Sequence, residues 1–246
     1  MKLGLIDINA ASLASAKSFL SNSVDVETYT IDVSDLSQWA TVKSSFESKF
    51  GGVDLLVLNA GTMQPHTSTD VDAFHKIFDT NFFGYVNGVA TFLPTIKAQS
   101  AETAIVLTGS KQGITNPPGN PAYNATKAAV RSYAEQLSYE LRGTKTSVHL
   151  LVPGWTFTGM TGGGKPIAEK PAGAWLPEQV ANYLVQKMGQ GSFYIICPDN
   201  DVTEEMDKKR MLWTQGDIVE DRPPLSRWRE DWKEKAQKGV DAIKLP

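Results

Sequence analysis

Short apolar runs alternate with longer helical segments along this chain, and that alternation constrains the fold more than any other feature. The apolar runs predict strands at residues 3–6, 26–31, 53–58, 104–108, 148–152 and 193–197. Several runs are continuously apolar, which is typical of strands buried on both faces of a parallel sheet. Strands that alternate with helices over short links predict an α/β fold, a Rossmann-like doubly wound parallel sheet in three layers.

Three long helices are predicted between these strands from the spacing of their apolar residues. The first begins after Ser34 as N-cap and runs to about residue 50. The second covers residues 70–98, and the third begins after the N-cap Asn120 and ends at Gly143. We expect one domain over residues 1–246. Two segments of it stand apart, a lid or substrate loop at 155–176 and a C-terminal extension at 198–246.

Composition excludes several classes of function. The 24 basic and 27 acidic residues give a net charge of −3, which argues against nucleic-acid binding because phosphates require clustered positive charge. The three histidines are scattered, so we expect no metal site. The single cysteine, Cys197, precludes an internal disulfide and fits a reducing compartment. No apolar run approaches the roughly 20 residues that span a bilayer, so a cytoplasmic location without membrane contact is expected.

Tyr123 and Lys127 form the strongest local motif. A four-residue step near the start of a helix places both on one face. An ammonium beside a phenol favours the phenolate, so we expect Lys127 to lower the pKa of Tyr123 and make it a general acid and base. By itself the pattern also fits a surface tyrosine and a solvated lysine.

Ser110 supports the catalytic interpretation, because it follows the strand at 104–108 and would enter the same crevice as Tyr123. Its hydroxyl could orient a substrate oxygen, or it could merely cap a turn. Asn81 lies inside the second helix, where asparagine is a poor helix former. It is therefore either a functional residue or a polar break in the helix.

Small or acidic residues follow other predicted strands. Small residues at a strand end let a ligand approach the backbone, and a carboxylate there can accept hydrogen bonds from a ribose. These residues are Asp7, Asp32, the run Asn59, Ala60 and Gly61, and the pair Pro153 and Gly154 with Thr156 and Thr158 beyond it.

As a set, these motifs resemble the short-chain dehydrogenase/reductase family from Leu3 to about Cys197. The resemblance implies the catalytic residues Asn81, Ser110, Tyr123 and Lys127. It also implies that Tyr123 and Lys127 contact the cofactor together with Asp7, Asp32, Val33, Asn59, Ala60, Gly61, Pro153, Gly154, Thr156 and Thr158. Weaker candidates for substrate contact are Gln112, Trp155, Phe157 and Met160.

The function implied is hydride transfer between a nicotinamide cofactor and an alcohol or ketone, with Tyr123 as acid and base. Asp7 favours NAD over NADP. Family members pack two helices across a two-fold axis, so helices 70–98 and 121–142 imply a homodimer or homotetramer. The alternative function is that of a cofactor-free isomerase, cyclase or binding protein that uses the same crevice.

One departure from the family pattern is large. The family begins with a strand, a glycine-rich turn and a helix, and residue 1 of this sequence aligns just before the family's second strand. The central strand and the amides that hold the pyrophosphate are therefore expected to be missing. Three explanations stay open. The sequence is a shortened form of an ordinary reductase, a variant whose gap is filled by rearranged strands or a neighbouring subunit, or a relative without redox chemistry.

Overall fold

Six parallel strands form the centre of the computed structural model, which describes residues 1–20, 22–160 and 169–245. Each lies within two residues of a predicted strand, so the predicted α/β architecture is confirmed. The strands are β1 (Lys2–Asp7), β2 (Asp25–Thr30), β3 (Leu55–Leu58), β4 (Thr103–Thr108), β5 (Thr146–Val152) and β6 (Tyr194–Ile196).

Helices connect the strands and form a C-terminal group after β6. They are α1 (Ala10–Leu20), α2 (Leu36–Phe50), α3 (Val71–Phe78), α4 (Gly84–Ala98), α5 (Gln112–Thr115), α6 (Pro121–Glu140), α7 (Pro177–Gly189), α8 (Glu204–Val219) and α9 (Lys233–Ala242). A π-helical turn at Asp79–Phe83 joins α3 to α4. The predicted helix 70–98 is therefore a continuous helical segment with one π-turn inside it. None of the helices in the described ranges combines the length and apolar character needed to cross a bilayer.

Two helix boundaries differ from the prediction. The N-cap of α2 is Asp35, whose carboxylate accepts a hydrogen bond from the amide of Ser37 at 2.9 Å. Ser34 lies one position before this cap, and its hydroxyl donates to Asp32 at 2.7 Å. At the end of α6, the helix stops at Glu140 and Gly143 lies in the following turn, with a φ of 78°.

The strands form two hydrogen-bonded groups. β1 pairs with β2, and β3, β4, β5 and β6 pair in that order, every pair being parallel. β1 and β3 flank a common cavity of about 660 Å³. The sheet is therefore interrupted where the sequence predicts a missing central strand, and no rearranged strand from the described residues fills the place.

Helices cover both faces of the larger strand group, as a three-layer fold requires. Ile105 and Leu107 of β4 pack in the core that includes residues of α2, α4 and α6. Val106 points to the opposite face and packs with residues of α7. Val57, which pairs with Val106 and shares its face, is 44% exposed. The sheet face that α7 covers at β4 is therefore exposed to solvent at β3.

Candidate active site

Ser110 and Tyr123 meet at the carboxyl end of β4. Ser110 lies in the turn between β4 and α5, and Tyr123 lies in the first turn of α6. The Ser110 side chain lies near enough to the Tyr123 phenol to lower its pKa. The Ser110 hydroxyl also accepts a hydrogen bond from the amide of Gln112 at 3.2 Å. Two residues 13 positions apart in the sequence therefore lie close together beyond the end of β4.

Lys127 lies one turn further along α6 and is buried. Its Nζ donates to the carbonyl oxygen of Thr108 at 2.8 Å and lies 3.5 Å from the hydroxyl of Tyr85. The same atom is 5.7 Å from the centre of the Tyr123 ring. The end of β4 thus holds the lysine next to the tyrosine on which it is expected to act.

Burial controls the ionisation of both residues. It lowers the pKa of Lys127 to about 7, since the buried ammonium loses hydration. Burial also raises the pKa of Tyr123, and the hydrogen bond from Ser110 opposes that rise only in part. The expectation that Lys127 lowers the pKa of Tyr123 is therefore wrong for this structure. The lysine donates to the Thr108 carbonyl, and the cost of burying a phenolate dominates.

Asn81 belongs to the same site. It lies in the π-helical turn and is fully buried. Its amide accepts from the backbone nitrogen of Thr62 at 2.7 Å and donates to the carbonyl of Thr62 at 2.9 Å. It also lies 3.4 Å from the hydroxyl of Thr126, next to Lys127. A π-turn inserts one extra residue into a helix and often occurs at functional sites. Here it lets Asn81 join the loop after β3 to α6.

Several predicted cofactor residues surround the cavity between β1 and β3. Asp7, Val33, Asn59 and Ala60 all line it. Asn59 also joins the neighbouring strand, because its side-chain oxygen accepts a hydrogen bond from Thr108 at 3.1 Å.

The other predicted cofactor residues lie outside the lining of this cavity. The Asp32 carboxylate accepts hydrogen bonds from both the amide and the hydroxyl of Ser34. Gly61 lies against Asn81, since a Cβ built on it would lie 3.4 Å from the Asn81 side-chain oxygen. The remaining residues lie after β5, where Thr156 donates to the carbonyl of Gly154 at 3.1 Å and Thr158 accepts from the amide of Met160.

Backbone pairing joins two segments of the predicted substrate loop. Thr156 and Trp175 form an isolated parallel bridge, which joins the two ends of the loop. Met160 packs in the cluster that contains Tyr123, so this predicted substrate residue does lie near the site. Trp155 is 46% exposed, and the Gln112 side chain carries a buried oxygen. Residues 161–168 of the loop lie outside the described residues.

Three site residues escaped the sequence reasoning. Tyr85 lies in α4, and its hydroxyl reaches the Thr108 carbonyl at 3.3 Å. His66 accepts a hydrogen bond from the amide of Ala122 at the start of α6. Lys111 directly follows Ser110 and forms ion pairs with the C-terminal part of the chain. Of these three residues, only Tyr85 could have been found from the sequence, because it lies one helical turn beyond the candidate residue Asn81.

The cavity between β1 and β3 is lined by residue types that can contact a dinucleotide cofactor. Asp7, Asn59 and Ala60 line it, and so does Tyr85, whose hydroxyl lies 3.5 Å from the Lys127 Nζ. Between β1 and β3 the described residues supply no strand that pairs with both. Groups of His, Cys, Asp and Glu that could hold a metal are absent from the described part of the chain.

Comparison with known proteins identifies the same family that the sequence motifs resemble. The sequence profile of the short chain dehydrogenase family matches residues 1–166. Sulfoacetaldehyde reductase 2 of Chromohalobacter salexigens is 36% identical over 145 residues, which are 58% of this chain and 58% of the reductase. The chain therefore spans just over half the length of that relative. The 1-deoxy-11-beta-hydroxypentalenate dehydrogenase of Streptomyces avermitilis is 25% identical over 215 residues, covering 85% of this chain and 80% of the relative.

Solved structures support the fold. A short-chain dehydrogenase/reductase from Burkholderia phymatum in complex with NAD superimposes with a TM-score of 0.79 at 26% identity, covering 91% of this chain and 87% of that one. The alcohol dehydrogenase of Thermococcus sibiricus, complexed with 5-hydroxy-NADP, has a TM-score of 0.69 at 23% identity, with 76% and 80% covered. The chain therefore belongs to the short-chain dehydrogenase/reductase family of oxidoreductases and has its Rossmann-type α/β fold.

Proposed function

We propose that this protein interconverts an alcohol and a carbonyl compound of small or medium size, using a nicotinamide cofactor and Tyr123 as acid and base. The observation that carries the proposal is the position of Ser110, whose side chain acts on the pKa of Tyr123, beside the buried Lys127. A phenol and a second hydroxyl in one crevice can hold a single substrate oxygen and exchange a proton with it.

Each residue has a defined role in this proposal. The nicotinamide, when bound, supplies or accepts the hydride. Tyr123 donates its phenolic proton to the carbonyl oxygen during reduction and takes it back during alcohol oxidation. Its raised pKa keeps the phenol protonated at neutral pH, which is the state that reduction requires. Ser110 orients the substrate oxygen through its hydroxyl. Asn81 holds the Thr62 loop against α6.

The cofactor is proposed to be NAD. Asp7 ends β1 and lines the cavity, where a carboxylate can accept hydrogen bonds from the ribose hydroxyls and repel a 2′-phosphate. Other proposed cofactor contacts come from Asn59, Ala60 and Gly61 after β3 and from the segment after β5. The segment at residues 155–160 is proposed to contact an apolar substrate, because Met160 packs near Tyr123.

The assembly and location are also proposals. We propose a homodimer or homotetramer formed through α4 and α6, since Phe83 and Tyr139 lie exposed at the start and end of these two helices. Light scattering on the eluting protein tests this, and a monomer at micromolar concentration would contradict it. We further propose one domain and a cytoplasmic location, which the buried free thiol of Cys197 fits.

The decisive experiment is a titration with NADH and NADPH by calorimetry, followed by a screen of aldehydes, ketones and secondary alcohols. Tighter binding of NADH and turnover of one carbonyl class are expected. Failure to bind either cofactor at millimolar concentration would contradict the proposal and favour a cofactor-free relative. The interruption between β1 and β3 makes this binding measurement the first one to perform.

A further inference from the structure

We infer that Lys111 is a positioning residue, whose buried ammonium holds the C-terminal extension against the turn that carries Ser110. The inference rests on the proposed function, because it concerns how that same site is held in place. Lys111 lies between Ser110 and helix α5, and its side chain is only 15% exposed. Its Nζ lies 3.1 Å from Oδ2 of Asp199 and 2.5 Å from Oδ2 of Asp207.

The two carboxylates belong to segments far away in the sequence. Asp199 lies in the loop after β6, and Asp207 lies in the first turn of α8. Both side chains are less than one tenth exposed. One lysine at the end of β4 therefore joins the catalytic turn to two elements of the 198–246 extension. Buried charges are expensive unless they are paired, so these three groups strongly prefer to stay together.

Asp199 extends the connection to the segment after β5. The same Oδ2 that contacts Lys111 accepts a hydrogen bond from the amide of Trp155 at 3.2 Å. Its Oδ1 accepts hydrogen bonds from the amides of Asp201 and Val202, which fixes the carboxylate in its own loop. The ends of β4, β5 and β6 are thus joined through one carboxylate and one ammonium.

Gly154 makes this close approach possible. A Cβ built on Gly154 would lie 2.7 Å from the Lys111 Nζ and 2.8 Å from Oδ2 of Asp199. Any larger residue would therefore displace the ion pair. The glycine of the Pro153–Gly154 pair consequently has a role besides the proposed cofactor contact, namely to leave room for Lys111.

The consequence for the site follows from chain connectivity. Lys111 is covalently adjacent to Ser110, and its carbonyl accepts hydrogen bonds from the amides of Ile114 and Thr115 in α5. Anchoring the lysine at both its backbone and its ammonium holds the turn in which Ser110 bonds to Tyr123. Loss of the ammonium should loosen this turn and the Trp155 segment. Asp7 and Asn59 belong to other elements and should be unaffected.

The test replaces Lys111 by methionine, which keeps the length of the side chain and removes the charge. The matched control is Lys187→Met. It breaks the 3.4 Å ion pair between Lys187 of α7 and Glu204, which lies on α8 like Asp207. Lys111→Arg tests rescue by a second cation. Hydrogen exchange is measured by mass spectrometry on segments 109–116 and 153–157. NADH affinity and the steady-state constants for the carbonyl substrate found in the screen are measured as well.

Lys111→Met is expected to speed exchange in both segments at least tenfold and to lower kcat at least tenfold, with a smaller loss of NADH affinity through the proposed cofactor contacts after β5. Lys111→Arg should recover most of both losses, and Lys187→Met should resemble the wild type. Exchange in 109–116 and 153–157 that matches the wild type would overturn the inference. A tenfold loss of kcat that Lys111→Arg does not recover would also overturn it.

Two further outcomes keep the test decisive. If Lys111→Met does not fold, the triple variant Lys111→Met, Asp199→Asn, Asp207→Asn removes all three charges. It should fold, as judged by circular dichroism, with the same faster exchange in both segments. If the wild type binds no nicotinamide cofactor, the proposed function fails, whereas the exchange comparison still decides whether Lys111 holds the turn.

Discussion

The ammonium of Lys127 donates a hydrogen bond to the carbonyl oxygen of Thr108 at 2.8 Å, inside a site where burial lowers the lysine pKa to about 7. Lysine in the unfolded chain has a pKa near its ordinary value of 10.5. Between these two values, the unfolded chain binds a proton that the folded protein has released. Folding therefore becomes more favourable as the pH rises through this window.

Replacement of Lys127 by methionine should remove that dependence. The free energy of unfolding of the wild type, minus that of Lys127→Met, should rise by about 1.4 kcal/mol per pH unit between roughly pH 7.5 and 9.5. Urea denaturation of both proteins at pH 7.5, 8.5 and 9.5 measures the difference. A constant difference across this range would mean that the lysine stays protonated in the folded protein.

Replacement of Tyr123 by phenylalanine should lower kcat by about 10²- to 10⁴-fold, since the proton exchanged with the substrate oxygen loses its carrier. Stability and NADH affinity should change little, because the ring keeps its packing with Ile77 and Ala122. Tyr133→Phe is the control on the same helix, since its ring packs against Phe82. Activity of Tyr123→Phe equal to that of this control would remove Tyr123 from the mechanism.

The rate of alcohol oxidation should increase with pH. Oxidation needs the phenolate, and burial raises the pKa of Tyr123 above its ordinary value of 10.0, so the active fraction grows about tenfold per pH unit below that pKa. Ser110→Ala removes the hydrogen bond that lowers this pKa, so its residual activity should rise at a higher pH than that of the wild type. Profiles of kcat/KM that extend above pH 10 measure this, and a shift toward lower pH would contradict it.

Replacement of Asp7 by asparagine should weaken NADH binding about tenfold or more, because a hydrogen bond to a charged group contributes roughly 1.5–3 kcal/mol. Affinity for NADPH should increase, since the repulsion of its 2′-phosphate is lost. The control is Asp25→Asn at the opposite end of the β1–β2 pair, where an exposed carboxylate begins β2. Calorimetry gives the dissociation constants, and equal effects of the two variants would exclude Asp7 from the cofactor site.

Replacement of Gly154 by alanine should destabilise the protein by about 1–3 kcal/mol, because the new methyl group would overlap Lys111 and Asp199. Gly159→Ala is the matched control in the same loop, where nothing lies within 4 Å of an added Cβ. Urea denaturation of both variants gives the comparison. Equal stability of the two variants would show that the Lys111 pair tolerates displacement.

The sequence by itself determined the strands, helices α2, α3, α4 and α6, and the placement of Ser110 and Tyr123 after β4. Hydrophobic period and helix spacing are encoded within a few neighbouring residues, so they can be interpreted without coordinates. The rule that carboxyl ends of parallel strands converge then brings residues 110 and 123 together. The predicted N-cap of α2 was wrong by one residue. Ser34 and Asp35 are both residue types that cap helices well, and in the structure Ser34 contacts Asp32 whereas Asp35 accepts from the Ser37 amide.

Tertiary structure decided the ionisation of the site, the π-turn at Asn81 and the anchoring of Lys111. The direction of the Tyr123 pKa shift is set by burial, which Ser110 offsets only in part. The partners of Lys111 lie 88 and 96 positions further along the chain, so no local pattern indicates them. Desolvation and charge pairing depend on which distant segments the fold brings together, whereas strand and helix periods depend only on the residues within them.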